Sequence, residues 1–277
     1  MDIYQRFGMR ANPFSTAPDP EFAYETREHQ LATVKILYSI EERLGLFLLQ
    51  GEIGTGKTTL SRFLFQRLSD DTRYTIAYLT DMSMRTPAQF LREVTSAFGL
   101  PVHTRTGDIT AELVGFLVRQ HTDGKTVVLM IDEAQRIAGP NLHTLHMLSN
   151  QETSKHKLLQ IVLLSQPNFP NKLEKAPALK SRITSAAYLD PLSFEDAVEM
   201  LRYRVEKVGG NFNTLFPGEE LHHAIFQATG GSPRDLCVLS GAALVNAAGR
   251  GLTCVTPETV AAAINDFRFK FQTRKAA

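Results

Sequence analysis

Apolar residues recur along this chain with two different periods. Short continuous apolar runs at 44–50, 74–80, 126–131, 158–165 and 184–189 predict strands, because a strand buried on both faces carries apolar side chains at every position. Between them, 58–68, 87–98, 110–120 and 141–151 repeat apolar residues at helical spacing. Strand and helix in alternation predict an α/β fold, a parallel sheet covered by helices on both faces. Ahead of the first strand, 25–43 reads as an amphipathic helix with Leu31, Val34, Ile36, Leu37 and Ile40 on its apolar face. Past Pro191 the strand pattern stops. Four helical patterns follow at 194–208, 218–229, 233–248 and 257–271. Ser193 and Thr256 suit N-caps, and Pro257 suits a first helical turn. The first thirty residues hold Tyr4, Phe7, Pro13, Phe14, Pro18, Pro20, Phe22 and Tyr24. Pro-x-Pro spacing opposes a helix, so this stretch reads as an extended arm that packs its aromatic rings. The expected organisation is an arm and first helix over 1–43, an α/β domain over 44–192 and a small helical domain over 193–277.

Two motifs stand at the ends of predicted strands. Gly51-Glu52-Ile53-Gly54-Thr55-Gly56-Lys57-Thr58-Thr59 matches the P-loop pattern in full, between an apolar strand and a helix. Glycines let such a loop turn its N–H groups onto a phosphate, and the helix that follows aims its positive end at the same place. The sequence therefore predicts ATP held by Gly51, Gly54, Thr55, Gly56, Lys57, Thr58 and Thr59. Lys57 is expected on the β/γ-phosphates and the Thr58 hydroxyl on Mg²⁺. About 75 residues further on, the run 127–131 ends in Asp132 and Glu133. Asp132 is the expected second holder of Mg²⁺, and Glu133 the acceptor of a proton from the attacking water.

Three polar residues extend the candidate site, each with a plainer alternative. Gln166 follows the apolar run 158–165 and would orient water if that strand lies between the other two; otherwise it belongs to an ordinary turn. Arg234 stands in a first helical turn, where a cation is mildly unfavourable. It serves either an anionic partner such as the nucleotide or an ion pair with Asp235. Arg182 precedes the last strand, either as an arginine finger entering a neighbouring subunit or as surface charge.

Composition narrows the class further. The chain has 277 residues, 43% of them hydrophobic, with a formal charge of +1. That length suits one large domain or one with a smaller companion, and the composition suits a globular fold. Without the basic, aromatic residues 267–277, which include Arg268, Lys270, Arg274 and Lys275, 26 basic residues face 29 acidic ones. No apolar run approaches the roughly 18 residues that span a membrane, and residues 1–10 show no signal-peptide core. Cys237 and Cys254 lack metal-ligand spacing. A reduced, cytoplasmic setting without membrane insertion is the expectation.

Taken together, the motifs resemble those of AAA+ ATPases across almost the whole chain. The resemblance implies a five-stranded parallel sheet in the order 5-1-4-3-2 with a C-terminal helical lid, ATP hydrolysis, and ATP-dependent assembly into a ring or filament. It also implies Arg182 acting in trans and Arg234 as the lid's sensor. A narrower likeness is to the ExeA-like group. It rests on Phe7-Gly8, Asn12-Pro13-Phe14, Pro18-Asp19-Pro20, Phe22, Tyr24 and His29 in the arm, Gly51-Glu52, the stretch from Leu148 to Thr153, and Gln166-Pro167. Secretion ATPases of that group continue into a membrane helix and a peptidoglycan-binding domain, whereas this sequence stops at the lid. Stand-alone ATPases of this shape resemble the transposition helpers TnsC, TniB, MuB and IstB, which assemble on DNA and direct a transposase. The favoured expectation is therefore a transposition helper on double-stranded DNA, without sequence preference. The alternative is a secretion or pilus-assembly ATPase with a separate membrane partner. The helper likeness places Arg85, Thr104 and Arg105 toward DNA, with solvated surface charge as the other account of the two arginines. Repetition of one arginine per subunit would build a salt-sensitive phosphate track. The tail Phe267-Arg268-Phe269-Lys270-Phe271 either contacts DNA or a transposase, or packs its rings on the lid.

Overall fold

The computed structural model describes residues 3–17, 19, 22 and 24–272, the last six by backbone alone. In chain order the elements are α1 (Ile3–Arg6), α2 (Arg27–Glu41), β1 (Leu46–Gly51), α3 (Lys57–Ser69), β2 (Tyr74–Leu79), α4 (Pro87–Ala97), α5 (Thr106–Thr122) and β3 (Thr126–Ile131). There follow α6 (Gly139–Ser149), β4 (Leu159–Ser165), α7 (Phe169–Leu173), α8 (Pro177–Lys180) and β5 (Ile183–Leu189). The chain ends in α9 (Phe194–Lys207), α10 (Phe212–Leu215), α11 (Glu219–Thr229), α12 (Pro233–Gly249) and α13 (Pro257–Gln272). Two compact units result. One comprises Arg27–Glu52 and Lys57–Leu189; the other comprises Met1–Thr26, Ile53–Gly56 and Asp190–Ala277.

The α/β unit is a parallel sheet in the order β2-β3-β4-β1-β5, the expected order read from the opposite edge. Its central strands are buried along their length: all six residues of β3 and all seven of β4. β5, at an edge, alternates instead. Successive side chains point to opposite faces, so each strand feeds two cores. Leu46, Leu48, Leu129, Ile131, Ile161 and Leu163 meet one set of helices through Phe90, Leu113 and Leu145. Phe47, Leu49, Val128, Met130, Val162 and Leu164 meet the other through Ile36, Ile40, Leu60 and Leu64. Register aligns Gln50 with Ser165 and Ile131 with Leu163, which brings the C-terminal ends of β1, β3 and β4 to one edge.

α2 forms, but its buried face differs from the one expected. Ile36 and Ile40 are buried as predicted. Leu31 and Val34 are 54% and 63% exposed, while His29, Thr33 and Ser39 lie inside. Polar residues thus share the seam with Ile36 and Ile40, and Leu31 and Val34 point outward.

The helical unit has its own core, in which Leu201, Val205, Phe216, Leu239 and Leu244 are buried. Arm residues belong to it: Phe14 packs edge-on against Phe216 at 5.8 Å, and Arg204 Nη1 donates to the carbonyls of Pro13 and Ser15 at 3.2 and 3.0 Å. The arm also holds the short α1, which the proline spacing did not predict. Pro18 and Pro20 lie outside the described residues. Ser193 and Ser232 cap α9 and α12, accepting from the N–H groups of Asp196 and Asp235. At Gly231, φ is +76°, and a Cβ there would stand 2.3 Å from the Leu192 carbonyl oxygen. Only glycine lets these two stretches of backbone exchange the Leu192 N–H to Gly231 O bond of 2.9 Å. α13 runs to Gln272, so the stretch 267–271 continues a helix. Its side chains, with residues 273–277, lie outside the described residues. Among those described, no helix is long and apolar enough to cross a membrane.

Candidate functional site

The glycine-rich loop leaves β1 and enters α3. Gly54 and Gly56 hold φ of +88° and +94°, the left-handed region where a Cβ is penalised. Lys57 is buried, and its Nζ donates to the carbonyls of Gly51 and Glu52 at 2.7 and 2.6 Å. Burial pushes its pKa down, against the pull of Glu133, Asp132 and Glu52. Thr55 is buried, and Thr58 and Thr59 are half-buried.

Asp132 is buried at the end of β3 and accepts from three sides. Thr58 Oγ1 and the Tyr78 hydroxyl reach Oδ2 at 2.9 and 3.1 Å, and the Glu133 backbone N–H reaches Oδ1 at 2.8 Å. Glu133 has φ +52°, a conformation that costs a non-glycine residue about 1–3 kcal/mol. Its carboxylate accepts from Gln135 Nε2 at 2.7 Å and from Gln166 Nε2 at 3.4 Å. Gln135 also accepts the Gln166 backbone N–H through Oε1 at 3.1 Å, while Lys172 Nζ holds the Gln135 carbonyl at 2.9 Å. The chain thus brings Lys57, Thr58, Asp132, Glu133 and Gln166 to the C-terminal edge of β1, β3 and β4, where open α/β sheets bind ligands. Since β4 lies between β1 and β3, Gln166 stands where the sequence argument required.

Other predicted residues lie elsewhere. Arg182, half-buried between α8 and β5, joins none of these hydrogen bonds. Its charge is felt by His146, whose pKa is lowered by burial first and then by Arg182 and His143. Arg234 is exposed in the first turn of α12, and its backbone N–H donates to Gly54 O at 3.3 Å within the helical unit. Among the described residues it forms no ion pair with Asp235. Arg85 is exposed in the loop after β2, and Thr104 and Arg105 are exposed just before α5.

Sequence reasoning missed Tyr78, Ser61, Gln135 and Lys172. Ser61 Oγ lies 2.7 Å from the Tyr78 hydroxyl. Gln135 and Lys172 also line an open cavity of about 620 Å³ with Asn168, Asn171 and Lys175. Gln135, two positions past Glu133, was the most findable of the four. Tyr78 had no signal, because its reach depends on how β2 registers against β3.

A parallel sheet in this order, with a P-loop after its first strand and a carboxylate pair after its third, has the fold of an AAA+ P-loop domain. Residues 40–173 match the family described as AAA domain. The chain is homologous to General secretion pathway protein A of Aeromonas hydrophila, with 35% identity over 255 residues, covering 89% of this chain and 45% of that protein. It thus spans less than half the length of that relative. Among solved structures, it is similar to the Aeropyrum pernix ORC2 protein in ADPNP-ADP complexes, with a TM-score of 0.67, 19% identity, and 92% of this chain and 71% of that one covered. It is similar also to Cdc6p from Pyrobaculum aerophilum, with a TM-score of 0.71, 19% identity, and 91% and 69% covered. Drosophila ORC bound to DNA gives 0.70, 17% identity, and 95% and 65% covered. At these identities the structural likenesses establish the fold alone.

Proposed function

We propose that this protein binds and hydrolyses ATP with Mg²⁺ and uses the cycle to control its own assembly, as a secretion-type AAA+ ATPase. The observation that carries the ATPase reading is the convergence of Lys57, Thr58, Asp132, Glu133 and Gln166 on one sheet edge. A hydroxyl and a carboxylate, those of Thr58 and Asp132, are the hard oxygen donors that suit Mg²⁺ beside nucleotide phosphates. The positive-φ glycines let backbone N–H groups face those phosphates. Bound Mg²⁺ would neutralise charge on the β- and γ-phosphates. Gly51, Gly54, Thr55, Gly56 and Thr59 shape the phosphate loop. Lys57 supplies charge, Glu133 accepts the proton of the attacking water, Gln166 orients that water, Arg234 contacts the nucleotide, and Arg182 acts on a neighbouring copy.

The test is phosphate release together with binding of a fluorescent ATP analogue. Glu133→Gln is expected to bind but to lose turnover by about 100-fold or more. Lys57→Ala is expected to lose binding and assembly together. A wild-type protein that releases no phosphate with Mg²⁺ at any protein concentration overturns the ATPase reading.

The secretion assignment rests on the 35% identity to General secretion pathway protein A. A second reading, a transposition helper on double-stranded DNA with a transposase partner, is favoured by exposed Arg85, Thr104 and Arg105. Titration of duplex DNA with ATP and then ADP across a salt series separates the two. ATP-dependent, salt-sensitive assembly on DNA that Arg85→Ala and Arg105→Ala weaken supports the helper. Assembly indifferent to DNA supports the secretion role.

A further inference from the structure

Asp132 is oriented by a residue that no P-loop motif contains. Its carboxylate offers about four lone-pair sites, and three are taken: Thr58 Oγ1 and the Tyr78 hydroxyl on Oδ2, and the Glu133 N–H on Oδ1. A hydroxyl has one proton to give, and a carboxylate is a stronger acceptor than another hydroxyl. The Tyr78 proton therefore goes to Asp132. Ser61 Oγ, 2.7 Å behind it, gives its own proton either to Tyr78 or to the Thr58 carbonyl at 3.0 Å. Tyr78 sits on β2 opposite Met130 of β3, so its ring carries the hydroxyl past the strand end to the carboxylate.

We propose that Tyr78 is a positioning residue that fixes the orientation of Asp132 and leaves one carboxylate lone pair, on Oδ1, to serve the nucleotide-bound divalent cation. The inference rests on the ATPase reading above and adds a third fixed point, from a strand outside both motifs, to the two that Thr58 and Glu133 supply. Without the hydroxyl, Oδ2 regains a free site and Asp132 can turn about the remaining two bonds. The cation then meets a less ordered partner, while the phosphate loop is untouched.

The experiment is equilibrium binding of a fluorescent ATP analogue in EDTA and in saturating Mg²⁺. The wild-type protein is expected to bind more tightly with Mg²⁺. Tyr78→Phe keeps the ring that packs 5.7 Å from Phe65. It is expected to match wild type in EDTA within about twofold and to lose about fivefold of the Mg²⁺-dependent gain, the size of one hydrogen bond. Ser61→Ala should lose less, and the double variant should lose no more than Tyr78→Phe alone, since the two act as one chain. An unchanged Mg²⁺ gain in Tyr78→Phe, an equal loss in EDTA and in Mg²⁺, or additive losses in the double variant each overturn the proposal. A wild-type protein that binds no nucleotide fails the ATPase reading instead, so the two failures are distinct.

Discussion

Gln135 Nε2 donates to Glu133 Oε2 at 2.7 Å, and the same side chain accepts the Gln166 backbone N–H through Oε1. One amide therefore ties Glu133, the second residue past β3, to Gln166, the first residue past β4. Glu133 needs such a tether because its backbone is already in the left-handed region. Gln135→Leu removes both bonds at similar size. A hydrogen bond to a charged group is worth about 1.5–3 kcal/mol, so turnover is expected to fall about tenfold or more. Affinity for nucleotide should stay within about twofold, because Gln135 touches none of the phosphate loop. Parallel measurement of phosphate release and analogue binding checks this; an equal loss in both would mean that the loop itself had shifted.

The two faces of α2 make a sharp stability test. Ile36 is fully buried against the sheet, whereas Leu31 is 54% exposed. Ile36→Ala should cost about 2–5 kcal/mol through lost burial and a residual cavity. Leu31→Ala should stay within about 0.5 kcal/mol, as surface changes usually do. Chemical denaturation of both variants decides the matter, and comparable losses would place Leu31 in a packed interface.

This contrast shows what the sequence made legible. β3 and β4 were readable because burial on both faces leaves them almost wholly apolar, with Gln160 the one polar residue inside β4, and the chemistry at their ends was readable because motif and strand end coincide. The α2 face was not, since Thr33 and Ser39 are small enough to fit a seam that the apolar count assigned to Leu31 and Val34. The short helices α7, α8 and α10 escaped because four or five residues do not complete a periodic pattern. Tyr78 escaped because its role follows from strand register, which no single strand reveals.

Gly54 answers to backbone geometry and to space at once. Its φ is +88°, and a Cβ there would lie 2.7 Å from Ser232 Oγ and 3.1 Å from Arg234 Cβ. The hydroxyl can turn aside, but the backbone angle cannot change without reshaping the loop. Gly54→Ala is therefore expected to cost about 1–3 kcal/mol in stability and to weaken nucleotide binding. Thermal unfolding with and without nucleotide measures both effects, and a variant of wild-type stability would show that the loop relaxes freely.

Lys57 makes the pH dependence of binding predictable in sign. Burial lowers its pKa below the usual lysine value, although Glu133, Asp132 and Glu52 resist the shift. In the unfolded chain the amine holds its proton to higher pH. Between the two pKa values the unfolded state therefore binds more protons, and this residue's contribution to stability rises with pH. Nucleotide binding runs the other way. Phosphates favour the charged ammonium, so affinity must fall as pH rises through the lowered pKa of the free protein. The fall should begin below the ordinary lysine range of about 10.4. Lys57→Arg should bind less tightly, because a planar guanidinium does not replace a compact ammonium, but its profile should be flat because arginine stays charged. Titrating a fluorescent ATP analogue from about pH 7 to about pH 10 compares the two directly. A wild-type profile as flat as that of the arginine variant would show that Lys57 keeps its full proton affinity in the folded protein, and that its two backbone carbonyl partners outweigh the cost of burial.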